Sequence, residues 1–133
     1  MAEFLFELVS PEKVSFSGQV EAVTLPAEDG EIMVLSGHAP LIANLKTGIL
    51  TIATTSNEKN RFLITGGFLD AGTNSTTVLA ENAYNETEWS AELLDRELEK
   101  CEAARDSCEI FEDRVFLEYN INTLKQLKTS VSG

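Results

Sequence analysis

The stretch that decides the fold is WSAELLDRELEKCEAARDSCEIFEDRVFLEYNINTLKQL, which runs from Trp89 to Leu127. Apolar side chains recur in it at steps of three or four, and charged side chains fill the positions between them, which is the pattern of amphipathic helices. Neither glycine nor proline occurs from Thr73 to Ser132. Because an interior glycine costs a helix about 1 kcal/mol and an interior proline about 3 kcal/mol, this absence also predicts helices.

Two apolar stripes divide the helical part. The first contains Trp89, Leu93, Leu94, Leu98, Cys101 and Ala104, and the second contains Ile110, Phe111, Val115, Leu117, Ile121, Leu124 and Leu127. Asn85 and Glu88 have the spacing of a capping box for the first helix. A tight turn over residues 105–107 would fold the two helices into an antiparallel hairpin. One continuous helix over residues 88–128 is the alternative.

The preceding part of the chain has the composition of a β-domain. All three prolines and seven of the eight glycines lie before residue 73. Short β-branched and aromatic runs between turn signals predict strands at Phe4–Val9, Gln19–Leu25, Glu31–Leu35, Ile49–Thr54, Arg61–Thr65, Phe68–Ala71 and Thr76–Ala80. Without crossover helices, such strands favour an antiparallel sandwich or barrel. We therefore predict a β-sandwich domain over residues 1–84 and a helical hairpin domain over residues 85–133.

The amino-acid composition and the net charge argue against several classes of function. The 133 residues are 43% hydrophobic and 24% charged, which is typical of a globular protein, and they carry a formal net charge of -12. A strongly negative chain is repelled by nucleic-acid phosphates and by anionic lipid headgroups, so binding to either is not expected. No apolar run is long enough to span a bilayer, and the first residues lack the charged start of a signal peptide. The sequence thus predicts a soluble, cytosolic protein.

Residues that bind metals or perform catalysis are few. Cys101, Cys108 and His38 cannot supply the four ligands of a structural zinc site, and two free thiols are favoured over a redox pair because no Cys-x-x-Cys spacing occurs. Glu28, Asp29 and Glu31 form an acidic cluster near His38. A solvated turn explains this cluster better than a metal or acid–base site. From the residues alone, we predict no metal, no cofactor and no catalytic site.

Two other readings remain open at this point. One is a separate β-sandwich adaptor or ligand-binding module whose helical arm mediates dimerisation. The other is a hydrolase centred on His38, although no Gly-x-Ser-x-Gly nucleophile elbow accompanies that histidine. The apolar stripes favour an interaction protein without catalytic activity, because a hairpin this short needs another surface to cover its stripe.

One segment resembles the signature of a known family. EDGEIMVLSGHAPLI, residues 28–42, is similar to the pattern E-G-E-(I/L)-G-(I/V)-x-P-G-H-A-P-L-(L/I) of the epsilon subunit of F-type ATP synthase. Gly66-Gly67-Phe68-Leu69-Asp70, Thr77–Ala83 and Phe16-Ser17-Gly18 resemble further segments of that family, in the same order. Met33 and Ser36 depart from the pattern, which has glycine and proline there.

The resemblance implies an architecture and a set of partners. Family members have a sandwich of about ten strands followed by an antiparallel two-helix hairpin, and they are non-catalytic subunits of the rotor. They link the gamma subunit to the ring of c subunits, couple proton flow to ATP synthesis, and in bacteria restrain ATP hydrolysis when the hairpin extends. This implies a peripheral location on the cytoplasmic face of the bacterial inner membrane, with membrane contact only through the complex.

The resemblance also indicates contact surfaces. Asp29, Glu31 and His38 match the family's edge that contacts the c-ring, and the strands around residues 20–25 and 62–69 would supply apolar area to gamma. The hairpin is expected to reach the alpha and beta subunits. Some bacterial relatives bind ATP through a hairpin motif (I/L)-D-x-x-R-A. Here Leu98 and Glu99 replace its arginine and alanine, so no nucleotide site is expected.

Overall fold

The computed structural model describes residues 3–56 and 58–132, and the side chains of these ranges as far as Ser130. The chain forms two compact units, the first ending at Glu86 and the second beginning at Thr87. The first unit contains ten strands and the second contains two helices, with a short 3₁₀ turn, Glu86–Glu88, at the junction. The predicted β-sandwich followed by an antiparallel hairpin is confirmed.

The strands are short, and they are β1 Phe4–Val9, β2 Val14–Val20, β3 Ala22–Ala27, β4 Gly30–Leu35, β5 Leu41–Leu45, β6 Gly48–Ala53, β7 Lys59–Ile64, β8 Gly67–Ala71, β9 Ser75–Ala80 and β10 Ala83–Asn85. In β1, β6, β8 and β9 buried side chains alternate with half-buried or exposed ones. The prediction of one strand over residues 19–25 is wrong. The chain bends at Glu21, whose N–H donates to the Ala53 carbonyl oxygen at 2.8 Å.

The strands form one sheet that folds around a single core. Its order is β10-β7-β6-β3-β5-β8-β9-β1-β2, and β4 pairs with the other edge of β3. All strand pairs in the described residues are antiparallel except β1 with β9, which is parallel. The largest fully buried side chains of this core are Phe6, Leu8, Leu25, Leu50, Ile52, Ile64 and Leu69.

The second unit is a hairpin of α1, Ala91–Asp106, and α2, Phe111–Ser132. The capping box expected at Asn85 is wrong, because Asn85 ends β10 and Ser90 caps α1 by accepting the Leu93 N–H at 3.2 Å. The turn also lies later than expected: α1 continues to Asp106, so residues 107–110 join the helices. Neither described helix combines the length and the apolar composition that a membrane crossing requires.

Gly67 fixes how β8 lies beside β9. Its φ is +146°, in the region that favours glycine, and a Cβ atom at this position would lie 2.4 Å from the Leu79 carbonyl oxygen. Real Cβ atoms do not approach backbone oxygens so closely, so a side chain here would push the two strands apart. The Gly66-Gly67-Phe68 segment is therefore needed for the fold at the position where β8 begins.

We expect Gly67→Ala to lower the free energy of unfolding by about 3 kcal/mol, because backbone strain and overpacking act together. Urea unfolding followed by circular dichroism measures this change. Gly18→Ala is the matched control: Gly18 lies in β2, and its added Cβ would meet only ring carbons of Phe16 at 3.8 Å. The control should stay within about 1 kcal/mol of the parent chain. Equal stability of the two variants would contradict the assigned role of Gly67.

Candidate protein-interaction surfaces

An exposed acidic turn joins β3 to β4. Glu28 and Asp29 lie in the turn, Gly30 follows with φ +139°, and Glu31 begins the exposed side of β4. None of the three carboxylates forms an ion pair with another described residue. Within the described ranges, no three His, Cys, Asp or Glu side chains converge as metal ligands would. The turn is thus a patch of uncompensated negative charge.

A cavity of about 460 Å³ opens beside this turn. It is lined by residues 27–32 on one side and by residues 41–44 of β5 on the other. Ala27 of β3 pairs with β4 on one edge and with β5 on the other, and β4 and β5 do not pair with each other in the described residues. The cavity lies at this end of β3. Asp29 and Glu31 therefore share one site, together with the apolar side chains of Ile32, Leu41 and Ile42.

His38 lies apart from this cavity, in the loop between β4 and β5. Its Nδ1 lies 2.8 Å from the Ala39 carbonyl oxygen, so Nδ1 carries the proton and donates it. The Thr76 hydroxyl lies 3.5 Å from Nε2, and the ring stands edge-on to Phe4 with centroids 6.1 Å apart. No carboxylate of the described residues contacts the imidazole, whereas a Ser-His-acid triad requires one. The structure thus brings Asp29 and Glu31 together but gives His38 different neighbours.

A row of apolar side chains crosses the outer face of the sheet. Phe68 of β8 pairs with Leu79 of β9, Leu79 pairs with Val9 of β1, and Val9 pairs with Val14 of β2. Val14 is 58% exposed and Leu79 53% exposed. A second cavity of about 330 Å³ adjoins the row and is lined by residues 9–11 and 79–81. We refer to Phe68, Leu79, Val9 and Val14 as the outer row.

The sequence did not reveal the outer row, because its members come from four strands. The segments expected to supply apolar area, residues 20–25 and 62–69, are mostly committed to the core: Val20, Val23, Leu25 and Phe62 are buried, and Phe68 alone of their large apolar side chains is exposed. The signal that could have identified the row is the alternation within β9, where Leu79 lies between the buried Val78 and Ala80.

The hairpin has one buried face and one exposed face. Leu94, Leu98, Ile121 and Leu124 are buried, and ion pairs from Arg105 to Glu118 at 3.0 Å and from Lys128 to Asp95 at 2.5 Å join the helices. Arg105 donates a hydrogen bond to the Glu118 carboxylate, and this bond is the main cause of a raised pKa for Arg105.

The second apolar stripe read from the sequence divides into two. Leu117, Ile121 and Leu124 of this stripe are partly or fully buried, whereas its Phe111 and Val115 are exposed. Tyr119, which was not part of the predicted stripe, continues the exposed set at the same interval of four residues along α2. Phe111 is 78% exposed. We refer to Phe111, Val115 and Tyr119 as the exposed stripe. It is an apolar surface that α1 does not cover.

The segment that resembles a nucleotide motif is unsuited to phosphate. Asp95 pairs with Lys128, Leu98 is buried, and Glu99 is exposed. A surface hollow in this region is lined by Glu92, Asp95, Arg96 and Glu99, so three carboxylates surround one guanidinium. A triphosphate would meet net negative charge here, which disfavours its binding.

We predict that the isolated protein does not bind ATP with a dissociation constant of about 10 µM or tighter, which corresponds to roughly 7 kcal/mol. Isothermal titration calorimetry with Mg-ATP measures this affinity. Arg96→Ala should leave the titration unchanged, because no phosphate depends on that guanidinium. A dissociation constant in the low micromolar range that Arg96→Ala weakens would contradict this reading of the hollow.

Comparison with protein families gives one match that covers most of the chain. The family described as "ATP synthase, Delta/Epsilon chain, beta-sandwich domain" matches residues 3–86. The ATP synthase epsilon chain of Allorhizobium ampelinum is 36% identical over 93% of this chain and 92% of its own length. That of Bradyrhizobium sp. strain ORS 278 is 40% identical over 77% of this chain and 76% of its own length.

Solved structures with the same fold come from ATP synthases. A chain in the cryo-EM structure of the Euglena gracilis mitochondrial ATP synthase, OSCP/F1/c-ring, matches with a TM-score of 0.73 and 24% identity, covering 98% of this chain and 82% of that chain. A chain of the central stalk/c-ring of the Tetrahymena thermophila mitochondrial ATP synthase matches with a TM-score of 0.65 and 13% identity, covering 96% and 97%. At these identities the two matches establish the fold.

Proposed function

The chain belongs to the delta/epsilon chain family of ATP synthases, and from this premise we propose that it is the non-catalytic rotor subunit that links gamma to the c-ring in the central stalk of an F-type enzyme. The single observation that carries the proposal is the outer row, a continuous apolar surface on a folded β-domain. Exposed contiguous apolar surfaces mark sites of protein interaction.

The outer row is the proposed contact with gamma. Its members stand on four adjacent strands whose opposite faces are in the core, since Leu8, Leu69 and Val78 are fully buried. A rigid apolar surface of this kind loses little conformational entropy on binding. The adjacent cavity beside Leu79 offers a place for one large apolar side chain of the partner. Together these features suit a permanent interface.

The acidic turn is the proposed contact with the c-ring. Asp29 and Glu31 are exposed and without ion-pair partners in the described residues, so basic or amide groups in the polar loops of a ring would complement them. Such charge pairs set orientation and association rate more than affinity. His38 belongs to the same proposal through the family resemblance. Its hydrogen bond to the Ala39 carbonyl oxygen supports a role in holding the loop shape.

The hairpin is the proposed regulatory element. The exposed stripe of α2 would pack against the alpha and beta subunits in an extended arrangement, and burying one such side chain is worth about 1.5–3 kcal/mol.

The subunit would associate with the membrane only through the complex, on the cytoplasmic face of the bacterial inner membrane. We do not propose nucleic acid as a partner, because the chain has 22 acidic and 10 basic residues and would be repelled by the phosphates.

We predict that the chain forms a stable one-to-one complex with the gamma subunit and that Leu79→Lys disrupts it. A charge in the centre of the outer row would be desolvated without a partner, so affinity should fall at least about a hundredfold. Size-exclusion chromatography with light scattering, at micromolar concentration, measures the complex.

Thr55→Lys is the control for this experiment, because it adds the same charge in the turn between β6 and β7, outside the outer row. It should bind gamma as the parent chain does. Failure of the parent chain to co-elute with gamma at any salt concentration would refute the proposed function. Equal binding by both variants would remove the outer row from the interface.

A second prediction concerns the hairpin. Deletion from Thr87 onward should leave assembly with gamma and the c-ring intact and should increase ATP hydrolysis by the complex. The deletion begins at Thr87 because β10 extends to Asn85 and because Glu86 pairs with Arg61 at 2.6 Å. Steady-state ATPase assays on reconstituted enzyme measure the rate. An unchanged rate in the assembled complex would show that the hairpin does not inhibit hydrolysis.

A further inference from the structure

Strand β4 is an edge that the rest of the described sheet leaves open. It pairs with β3 over its whole length, from Gly30 against Ala27 to Leu35 against Ala22, and with no other strand of the described residues. Natural edge strands are commonly protected by lysine, proline or a bulge. Strand β4 contains neither lysine nor proline, its register with β3 is unbroken, and its one charged side chain, Glu31, lies near its start.

Hydrogen bonds on the other side of β3 show which backbone groups of β4 are free. The Pro26 carbonyl oxygen accepts from the Lys46 N–H at 2.9 Å, so Pro26 directs its backbone away from β4. Its partner in the register is Glu31, whose N–H and C=O must therefore point away from β3. Because the backbone groups of successive residues in a strand point to alternate edges, the N–H and C=O groups of Met33 and Leu35 also point away from β3.

One observation at the end of β4 agrees with this assignment. The Leu35 carbonyl oxygen accepts from the His38 N–H at 3.3 Å, which it can do only if it points away from β3. The N–H groups of Glu31, Met33 and Leu35 have no acceptor in the described residues. β4 thus presents three donors and two acceptors in a row, with the spacing that an added strand requires.

The side chains along this edge specify what an added strand should carry. Met33 is 63% exposed and Leu35 52% exposed, so the C-terminal half of the edge is apolar. Asp29 and Glu31 make the N-terminal half of the edge acidic, and the cavity of about 460 Å³ lies at this N-terminal end of β4. An antiparallel strand would place its C-terminal residues beside the acidic turn.

We propose that β4 binds an extended segment of a neighbouring subunit as an additional antiparallel strand, with apolar or β-branched residues opposite Met33 and Leu35 and two or three basic residues at its C-terminal end. This inference rests on the proposed function, because a neighbouring subunit of the rotor supplies the segment. Main-chain hydrogen bonds give such complexes affinity, and side chains give them specificity.

Charge favours this occupant over a second copy of the chain. Two copies would each carry a formal net charge of -12, and pairing their β4 strands would bring two acidic turns to one interface. The carboxylates of Glu28, Asp29 and Glu31 would stay uncompensated in such a dimer, whereas a basic segment neutralises them.

The test uses the full chain labelled with nitrogen-15 and the acetylated, amidated peptide Thr-Val-Thr-Val-Thr-Val-Lys-Lys as the probe. Amide exchange is measured by NMR with and without the peptide at about 1 mM. The peptide should slow exchange at Glu31, Met33 and Leu35 by about tenfold or more. Exchange at Ile32 and Val34, which already donate to β3, should not change, and these two amides are the internal control.

Two matched peptides separate strand pairing from charge attraction. N-methylation of every residue that faces β4 removes the peptide's donors and should abolish the protection. Replacement of the two lysines by glutamates keeps the backbone and should weaken binding about tenfold. On the protein side, Met33→Pro removes one free donor and should lose binding, whereas Met33→Thr keeps it. Thermal unfolding establishes that both variants are folded.

Three results would overturn the proposal. The peptide produces no protection, or the N-methylated peptide binds equally well, or the three amides are already protected in the chain alone. In the third case, dependence on protein concentration would identify a second copy as the occupant. Binding to gamma is tested separately, with the unsubstituted chain and with a variant of the outer row. If the chain binds gamma but not the peptide, the proposed function stands and only the proposal about β4 is refuted.

Discussion

Strand β3 takes part in three ladders, and the rest of the β-domain depends on it. Ala22–Thr24 pair with β6, Ala27 pairs with β5, and the whole strand pairs with β4 on its opposite edge. Pro26 makes the transition possible, because it has no N–H to satisfy and its carbonyl oxygen accepts from Lys46. The close approach of Gly48, where an added Cβ would lie 2.8 Å from the Pro26 Cβ, lets β6 begin beside this bend. The open edge belongs to β4, which pairs only with β3 among the described strands, and the acidic cavity lies at the end of β3 where Ala27 pairs with both β4 and β5.

Much of this architecture could be predicted from the sequence, and the failures have physical causes. The strands at Phe4–Val9 and Glu31–Leu35 and the change to helices after Tyr84 follow from local patterns of apolar and turn residues. The break at Glu21 does not, because residues 19–25 alternate without a glycine or proline, and the backbone partner of Glu21 at the bend is Ala53, which is distant in the sequence. Likewise, Leu41–Leu45 contains only five residues and follows a proline, so it lacks the length of a convincing strand pattern.

The surfaces were harder to predict than the elements. Asp29 and Glu31 were accessible to sequence reasoning because they are neighbours in the chain, and the structure places both beside one cavity. Pairing across strands creates the outer row, and no local pattern reports that Val9 lies beside Leu79. Seven apolar residues, six of them in α2, were read as one stripe, but a helix of this length can present two faces. The buried Asn120 between Tyr119 and Ile121 shows where the two faces divide.

The parallel pairing of β1 with β9 has a consequence for biosynthesis. Leu5 pairs with Ser75 and Val9 with Leu79, so β1, which is synthesised before the other nine strands of this domain, receives this neighbour only when nearly the whole β-domain has been made. Contacts so distant in sequence slow folding, since the intervening chain must be ordered first. Until then, β1 and β2 can form only a two-stranded hairpin, which is marginal in water, and Phe4, Phe6 and Leu8 have no complete core to enter. The nascent chain therefore passes through a period in which its most apolar strand is available to chaperones.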